Sequence, residues 1–236
     1  MITRVKVCGI KDPVALDAAV EAGADWIGFN FFPPSPRCVA PTQAVALAAR
    51  IGASGPGRVG LFVDPSDDDV AAVLDAVRLD ALQLYCDPAR AAELGRHFGL
   101  PVWRAVGVAA AADLPACADG ADALLIEAKP PKGATRPGGN AASFDWALLE
   151  GWRPPAPWLL AGGLAPGNVA EAIRISGAPA VDVSSGVESA PGRKDPALIR
   201  RFISAARAAP VTRRGVAPEP FGGMVFTASG AAPQRT

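Results

Sequence analysis

The fold is decided by residues 5–31, VKVCGIKDPVALDAAVEAGADWIGFNF, which combine two apolar β runs with the start and end signals of one helix. The first β run ends at Cys8, and the aspartate followed by proline at 12–13 is a usual helix start. Gly23 is placed to end that helix, and the second β run follows over 25–31. Two strands joined by a helix pair in parallel, so their C-terminal ends share one rim. Cys8 is therefore predicted at the rim where (β/α) barrels carry their chemistry.

The same alternation of apolar β runs and Ala-rich helical stretches continues along the chain. GADWIGF at 23–29 recurs as GADALLIE at 120–127, as expected for a barrel built of equivalent modules. We predict an α/β protein, a single-domain (β/α)8 TIM barrel over residues 1–208. Strands are expected near 3–8, 25–30, 58–63, 80–85, 101–107, 122–128, 157–161 and 179–184. Helices are expected near 13–22, 42–51, 67–77, 88–98, 112–118, 143–150, 167–176 and 196–208.

Two stretches depart from this alternation. Residues 129–143 form a long loop after the sixth predicted strand, and loops of this length in compact domains are usually functional or mobile. Residues 209–236 are rich in Pro, Gly, Ala and Ser and are expected to form a flexible, disordered tail. The sequence leaves one alternative open, in which the tail docks on the barrel through Phe221, Met224, Val225 and Phe226.

Composition excludes several classes of partner. Half of the 236 residues are hydrophobic, which supports a large buried core. Lysine plus arginine equals aspartate plus glutamate, 23 each, and without a basic stripe we expect no nucleic acid partner. No apolar run reaches about 18 residues, and the N-terminal MITRVKVCGI lacks a signal-peptide segment. We therefore expect a cytoplasmic protein with no membrane contact, and its four cysteines show no metal-site spacing.

Two residues at predicted strand ends can carry acid–base chemistry. Cys8 is either a base, once its thiol is ionised, or a small buried hydrophobic residue. An unperturbed thiol has a pKa of about 8.5, and Lys6 shares the strand parity of Cys8 and is expected to point inward beneath it. Glu127 follows four apolar residues at the end of the sixth strand. It is either a functional acid or the partner of Lys129 or Lys132 in a loop ion pair.

Polar residues of further loops complete a candidate ligand site. Arg37 follows the second strand, where it is either a solvated arginine or a planar guanidinium placed for a carboxylate. Asp182 lies on the eighth strand and faces either the mouth of the barrel or the core. The glycine-containing loops at 161–169 and 182–192 follow the last two strands, where barrels bind phosphate. The backbone N–H groups expected to cradle a phosphate are those of Gly162, Gly163, Ser185 and Gly186.

Over residues 3–208 the chain resembles the phosphoribosylanthranilate isomerase family of tryptophan biosynthesis, on the strand-end motifs just quoted. The resemblance implies an isomerase that needs no metal or organic cofactor and takes a small-molecule substrate, N-(5-phosphoribosyl)anthranilate. It implies Cys8 as general base and Glu127 as general acid. It also implies that Arg37 binds the anthranilate carboxylate and that Asp182 contacts the substrate amine or the ribose hydroxyls. Monomer and homodimer both remain open.

The reaction implied by the resemblance is an Amadori rearrangement to 1-(2-carboxyphenylamino)-1-deoxyribulose 5-phosphate. It requires Glu127 to start protonated and Cys8 to start ionised. Burial raises a carboxyl pKa, whereas positive surroundings lower a thiol pKa. The site is therefore expected to separate these two environments.

Two positions depart from the family pattern. Glu127 stands where the family usually has aspartate, and the longer side chain extends the carboxyl by about 1.3 Å. Leu84-Tyr85-Cys86 replaces the usual Leu-His-Gly at the end of the fourth strand. Two alternatives to the isomerase therefore stay open. One is a different phosphosugar isomerase or epimerase on the same barrel, and the other is a barrel that binds a phosphoribosyl ligand without turnover.

Overall fold

The computed structural model describes residues 2–131, 133, 137–138 and 142–210, which form a closed barrel of eight parallel strands. Each strand pairs with the next along the chain, and the last pairs with the first. The predicted (β/α)8 barrel and its eight strands are confirmed. Residues 211–236 of the predicted tail lie outside the described part of the chain. The strands are β1 (Arg4–Cys8), β2 (Trp26–Asn30), β3 (Gly57–Val63), β4 (Ala81–Tyr85), β5 (Val102–Val108), β6 (Ala123–Ala128), β7 (Trp158–Leu160) and β8 (Ala180–Val183).

Six α-helices surround the barrel in the described part of the chain. None of these helices is long and apolar enough to cross a lipid bilayer. Their apolar faces cover the outside of the sheet, as a parallel sheet requires. They are α1 (Pro13–Glu21), α2 (Pro41–Ala48), α3 (Asp67–Ala76), α4 (Pro88–Phe98), α5 (Val169–Ser176) and α6 (Pro196–Ala208).

Two of the eight predicted helices are wrong. The stretch near 112–118 forms only a 3-10 turn, Ala111–Asp113. Pro115 disfavours a helical residue before it, and the backbone at that preceding residue is indeed extended (φ −69°, ψ 128°). The stretch near 143–150 forms only the 3-10 turn Trp146–Leu149, which ends two residues before a glycine with a positive φ of 76°. In both places a helix-breaking residue outweighs the helix propensity of the neighbouring alanines and leucines.

A short antiparallel hairpin after β8 was not predicted. The chain leaves β8 through a 3-10 turn, Ser185–Val187, and then forms β9 (Glu188–Ala190) and β10 (Arg193–Lys194). The two strands are joined by a proline and a glycine, and Gly192 has a positive φ of 76°. This hairpin lies at the C-terminal rim of the barrel and therefore belongs to the surroundings of the site.

The helix starts follow the predicted capping signals. Asp12, Asp87 and Asp195 each accept hydrogen bonds of 2.8–3.1 Å from backbone N–H groups in the first turn of a helix that begins with proline. Ser66 and Asp69 form a reciprocal capping box at the start of α3. These local bonds fix where each helix begins and therefore where each preceding strand end points.

The lower half of the barrel interior is apolar. Trp26 and Trp103 meet edge to face there, with ring centroids 5.1 Å apart and planes at 88°. Smaller residues of the other strands fill the space around the two rings, as the interior of an eight-stranded barrel requires. We call this layer the barrel floor, and its other members are Val59, Ala81, Ala123, Leu159 and Ala180.

Above the barrel floor, the inward positions become polar toward the C-terminal rim. Side chains two positions apart on a strand face the same way, so each strand presents a series of inward residues. This arrangement places polar and titratable groups above a dry base, where the loops can cover them. The series are Lys6 and Cys8 on β1, Gln83 and Tyr85 on β4, Leu125 and Glu127 on β6, and Asp182 followed by Ser184 at the end of β8.

The barrel closes where β1 meets β8. Lys6 and Asp182 are directly paired across this seam, and their side chains form an ion pair inside the barrel. On the outside, α6 packs against α1, and Arg207 donates hydrogen bonds to the carbonyls of Thr3 (2.6 Å) and Gly23 (2.8 Å). The first and last elements of the barrel are thus joined by contacts on both faces of the sheet.

Candidate active site

A cavity lined by polar and apolar residues opens at the C-terminal rim of the barrel. It is bounded by inward residues of the strands and by the loops after β2, β6, β7 and β8. Gly186 is the one predicted site residue that does not line it. The seven that do are Cys8, Arg37, Glu127, Gly162, Gly163, Asp182 and Ser185.

Cys8 lies in the wall of this cavity beside a buried ammonium group. The ammonium of Lys6 lies near the thiol, and its Nζ donates to Asp182 Oδ1 at 2.8 Å. Lys6 therefore points inward beneath Cys8, as the strand parity predicts. A Cβ at Gly28 would lie 2.8 Å from Cys8 Sγ and 3.0 Å from Lys6 Nζ, so the thiol and the ammonium fit only beside a glycine.

The thiol environment differs from the sequence-based expectation. Burial raises the pKa of Cys8 above its ordinary value, and the nearby Asp182 carboxylate raises it further. The ammonium groups of Lys6 and Lys194 act in the opposite direction but do not outweigh burial. The expected lowering of the thiol pKa by positive surroundings is therefore wrong in direction. The reason is that Cys8 is buried, so desolvation of the thiolate raises the pKa by more than the lysine charges lower it.

Glu127 faces the same cavity from β6 and is 5% exposed. Burial raises its pKa, the nearby Tyr85 hydroxyl lowers it, and the Asp182 carboxylate and the Lys6 ammonium have smaller opposing effects, so that the pKa is about 8. A carboxyl with this pKa is protonated at neutral pH. Its protonation state therefore agrees with the predicted role of proton donor.

Tyr85 faces the same cavity as Glu127. Its phenol oxygen accepts a hydrogen bond from Gln83 Nε2 at 3.3 Å. Burial and the Glu127 carboxylate raise the pKa of Tyr85 well above its ordinary value, so the phenol stays neutral. The changed residue at the end of β4 is thus part of the polar site and does not merely pack.

The alternative interpretation of Glu127 as half of a loop ion pair has no support in the described residues. Lys129 Nζ binds Asp113 at 2.5 Å, and Lys132 lies outside the described part of the chain. Among the described residues, no three His, Cys, Asp or Glu side chains come together as a metal site.

Arg37 is buried in the loop after β2 and held in a fixed orientation. Its Nε and Nη2 atoms donate to the two carboxylate oxygens of Glu188 at 2.7 and 2.9 Å, which is a bidentate ion pair. The stem of Arg37 crosses Gly9, where a Cβ would lie 2.7 Å from Arg37 Cδ. Gly9 also has a positive φ of 75°. Glycine is therefore required there because of the backbone conformation and because a side chain would collide with Arg37.

The hairpin β9–β10 supplies the partner of Arg37. Glu188 begins the hairpin, and Lys194 at its end donates to Glu188 Oε1 at 2.9 Å and to the Ser184 carbonyl at 2.9 Å. The Gly192 N–H donates to Glu188 Oε2 at 3.1 Å. Two cations and one backbone N–H therefore share one carboxylate, and the pKa of Glu188 is lowered to about 2 despite its burial.

The loops after β7 and β8 meet at the rim of the cavity. Gly162 and Gly163 both have positive φ values, 83° and 65°, which favour glycine. Asn168 closes this loop by donating to the Gly163 carbonyl at 3.0 Å. Ser185 starts the 3-10 turn after β8, and Gly186 packs against the backbone of the loop after β7. Gly186 thus brings the two loops together instead of lining the cavity.

Sequence reasoning missed three groups that complete the site. Glu188 and Lys194 lie in a stretch predicted only as a loop. Glu188 pairs with Arg37, which is more than 150 positions away along the chain, and Lys194 pairs with Glu188. Gln83 was not singled out, although its inward parity with Tyr85 was a usable signal. No local pattern marked the ion pair between the hairpin and Arg37, because it exists only through tertiary contact.

A closed parallel barrel with a carboxylic acid and a thiol facing one cavity at its C-terminal rim defines a (β/α)8-barrel enzyme. Residues 5–205 match the family model described as N-(5'phosphoribosyl)anthranilate (PRA) isomerase. The chain belongs to this family.

Relatives of known name or structure agree with this assignment. The N-(5'-phosphoribosyl)anthranilate isomerase of Acidiphilium cryptum is 56% identical over 210 residues, which cover 88% of this chain and all of the relative. TrpF from Jonesia denitrificans has a crystal structure with 37% identity and a TM-score of 0.75, covering 88% of this chain and 98% of that one. A phosphoribosyl anthranilate isomerase solved in complex with reduced 1-(o-carboxyphenylamino)-1-deoxyribulose 5-phosphate has 33% identity and a TM-score of 0.71, covering 87% and 98%.

Proposed function

We propose that the chain catalyses the Amadori rearrangement of N-(5'-phosphoribosyl)anthranilate to 1-(2-carboxyphenylamino)-1-deoxyribulose 5-phosphate, a step of tryptophan biosynthesis. The observation that carries the proposal is the convergence of Cys8 and Glu127 on one rim cavity in a member of this isomerase family. Binding of a small molecule in such a cavity is supported by the related structure that holds a reduced carboxyphenylamino deoxyribulose phosphate.

Glu127 acts in the first step as the general acid. Its protonated carboxyl donates to the furanose ring oxygen, the bond from that oxygen to C1 breaks, and the nitrogen lone pair forms the C1–N double bond of a Schiff base. The pKa of about 8 supports this role, since the carboxyl carries its proton at neutral pH. Burial, which is the main cause of the raised pKa, also keeps bulk water away from the acid.

Cys8 acts in the second step as the general base. The thiolate removes the proton from C2, and the electron pair of that C–H bond moves toward nitrogen to give the enolamine. Lys6 supports this step, because the positive charge of its nearby ammonium favours the thiolate. Tautomerisation then gives the ketone, and the enzyme is restored when the thiol loses its proton and Glu127 regains one.

The remaining residues bind the two anionic ends of the substrate. Arg37 is proposed to hold the anthranilate carboxylate, with Glu188 fixing the plane of the guanidinium. The backbone at Gly162, Gly163 and Ser185 is proposed to bind the phosphate, at the position that barrels use for this group. The distinct positions of the arginine and the glycine loops suit a substrate with a carboxylate at one end and a phosphate at the other.

The test is an anthranilate-fluorescence assay of the wild type beside Glu127→Gln, Glu127→Asp and Cys8→Ser. We expect turnover by the wild type and a loss of at least about 100-fold in Glu127→Gln and in Cys8→Ser, because each removes one proton-transfer group. Cys117→Ser is the matched control, since Cys117 is an exposed free thiol outside the cavity and its replacement leaves turnover unchanged.

The outcomes separate the alternatives. Full activity of Cys8→Ser would remove the thiol from the mechanism. An inert wild type that gains activity as Glu127→Asp would instead identify a barrel that binds a phosphoribosyl ligand without turnover. Turnover only of a sugar phosphate that lacks an aryl amine would identify another phosphosugar isomerase.

A further inference from the structure

We infer that Gln83 is a further substrate-binding residue, whose side-chain amide binds the C2 hydroxyl of the ribose and distinguishes ribose from 2-deoxyribose. This role rests on the proposed function, in which Cys8 removes the proton from C2. Gln83 is only 1% exposed, yet it lines the cavity. Its amide is therefore shielded from bulk water and open to a bound ligand.

Gln83 lies deep in the cavity, on the side opposite Asp182. In the closed ring of eight strands, β4 and β8 are four strands apart and face each other. Gln83 is two positions above Ala81 of the barrel floor, and Asp182 is two positions above Ala180 of the same layer. Both side chains line the cavity at this depth. A ligand that reaches the bottom of the cavity therefore lies between the amide and the carboxylate.

Only one half of the Gln83 amide is paired. Its Nε2 donates to Tyr85 Oη at 3.3 Å, whereas among the described residues its Oε1 has no hydrogen-bond partner. The inward residues on either side are apolar, since Leu61 pairs with Gln83 from β3 and Ala105 is the residue above the floor on β5. Buried side-chain acceptors are normally hydrogen-bonded. An unpaired one in the wall of a cavity therefore indicates a ligand that donates a hydrogen bond.

The ligand group that suits this amide is a hydroxyl. If the amide were turned by 180°, Tyr85 would donate to its oxygen, and its NH₂ group would face the cavity instead. A hydroxyl both donates and accepts, so it satisfies the amide in either orientation. A phosphate or carboxylate only accepts, and these two ends of the substrate are already assigned to the glycine loops and to Arg37. The ribose hydroxyls are the groups that remain.

The hydroxyl on C2 is the one that fits the position of the proposed base. C2 carries both the hydrogen that Cys8 removes and a hydroxyl, and at a tetrahedral carbon these two bonds diverge. Cys8 is on β1, and Gln83 is three strands further around the ring, on β4. The C2 hydroxyl therefore points away from the thiol and toward the amide. It stays on C2 in the enolamine, so the contact is kept while the proton is removed.

The first test measures the binding of ribose 5-phosphate and 2-deoxyribose 5-phosphate by calorimetry. We expect the wild type to bind ribose 5-phosphate on the order of 10-fold more tightly, because one hydrogen bond is lost with the C2 hydroxyl. Gln83→Met should bind the two with nearly equal affinity, since all other contacts are common to both. Gln43→Met is the matched control, because Gln43 is an exposed glutamine outside the cavity, and it should keep the preference.

The second test separates substrate binding from a structural role. In Gln83→Met, kcat/KM for phosphoribosylanthranilate is expected to fall by on the order of 10-fold or more, because the contact is kept in the transition state. Thermal unfolding of the same variant without ligand is expected to give a melting temperature close to that of the wild type, or above it. The substitution removes a buried acceptor that has no partner in the free protein, and a purely structural glutamine would instead lower the melting temperature.

The outcomes distinguish this inference from the proposed function. Equal affinity of the wild type for the two sugar phosphates, or binding of neither, would overturn the role of Gln83. A preference that persists in Gln83→Met, or a large loss of stability in that variant, would do the same. A wild type inert toward phosphoribosylanthranilate whose preference for ribose 5-phosphate disappears in Gln83→Met would contradict the proposed function only.

Discussion

Cys8 and Lys6 occupy consecutive inward positions on β1, and their interaction sets the protonation state of the proposed base. Burial favours the neutral thiol, whereas the ammonium favours the thiolate, and burial has the larger effect on the pKa of Cys8. Glu127 is protonated up to about pH 8. At neutral pH most molecules therefore carry both protons, although the reaction needs only the one on Glu127.

This arrangement predicts the pH dependence of turnover. Below the raised pKa of Cys8, the thiolate fraction grows about tenfold per pH unit, so kcat/KM is expected to rise with pH through the neutral range. The rise is expected to end near pH 8, where Glu127 begins to lose its proton. The measurement is kcat/KM over about pH 6 to 9, with activity at neutral pH re-measured after each exposure. A rate that does not change with pH below 8 would show that the thiol is already ionised.

At the residue scale, the sequence predicted the direction in which a side chain points better than it predicted the pKa of that side chain. The inward direction of Lys6 follows from the alternation of side chains along a strand and was predicted correctly. The pKa of Cys8 depends instead on Gly28 and Asp182, which close around it from the neighbouring strands β2 and β8. Such burial is set by tertiary packing, and no local pattern near Cys8 encodes it.

The hairpin β9–β10 is the element that orients Arg37. Its Glu188 carboxylate accepts two hydrogen bonds from Arg37 and one from Lys194, and all three side chains are buried. Removal of one member of a buried charge cluster leaves the others unpaired, which is more costly than the loss of an exposed pair. Two short strands thus influence both the stability of the rim and the orientation of the arginine that is proposed to bind the substrate carboxylate.

Glu188→Gln is the variant that tests this element. The folded-state pKa of about 2 lies below the ordinary 4.5, so Glu188 contributes stability above about pH 4.5 that is lost as the pH falls toward 2. We expect the variant to lose on the order of 3 kcal/mol of unfolding free energy at neutral pH, and to show a weaker acid dependence than the wild type. KM for the substrate should rise, because Arg37 is no longer held.

Denaturant unfolding at several pH values measures this effect, and Glu171→Gln is its control. Glu171 is exposed and has only a 3.7 Å contact with Arg174, so its replacement should change stability by less than about 1 kcal/mol. Equal effects of the two substitutions would contradict the role given to the hairpin.

At the element scale, the sequence predicted what local chemistry determines. Aspartate–proline pairs such as Asp87-Pro88 fix helix starts through bonds within one turn, and these were predicted correctly. The helices predicted near 112–118 and 143–150 are wrong, because Pro115 and a left-handed glycine stop them. The hairpin was missed because strands of three and two residues are too short to show a periodic pattern.

At the scale of the whole molecule, the barrel depends on the seam between β1 and β8. Lys6 is fully buried there and forms a 2.8 Å ion pair with Asp182 directly across the seam. Desolvation makes such a pair a weak source of net stability, but loss of one partner leaves a buried charge. The seam therefore tolerates the removal of both charges better than the removal of one.

This asymmetry is testable with Lys6→Met, Asp182→Leu and the double variant. We expect each single substitution to cost about 3–5 kcal/mol of unfolding free energy, and the double substitution to recover much of that loss. Activity should stay low in Lys6→Met and in the double variant, because Lys6 no longer supports the thiolate of Cys8. Arg50→Met is the control, since its ion pair with Asp17 is exposed and its loss should leave the unfolding free energy close to that of the wild type.

The barrel floor also gives the molecule an optical property. Trp26 and Trp103 lie directly beneath the cavity, and Asn30, which lines the cavity, is four residues above Trp26 on β2, or about 13 Å along the strand. An anthranilate group bound at that height would accept excitation energy from both indoles by resonance energy transfer. The protein thus contains its own fluorescent donors, so quenching of tryptophan emission would follow ligand occupancy even in variants that have lost all turnover.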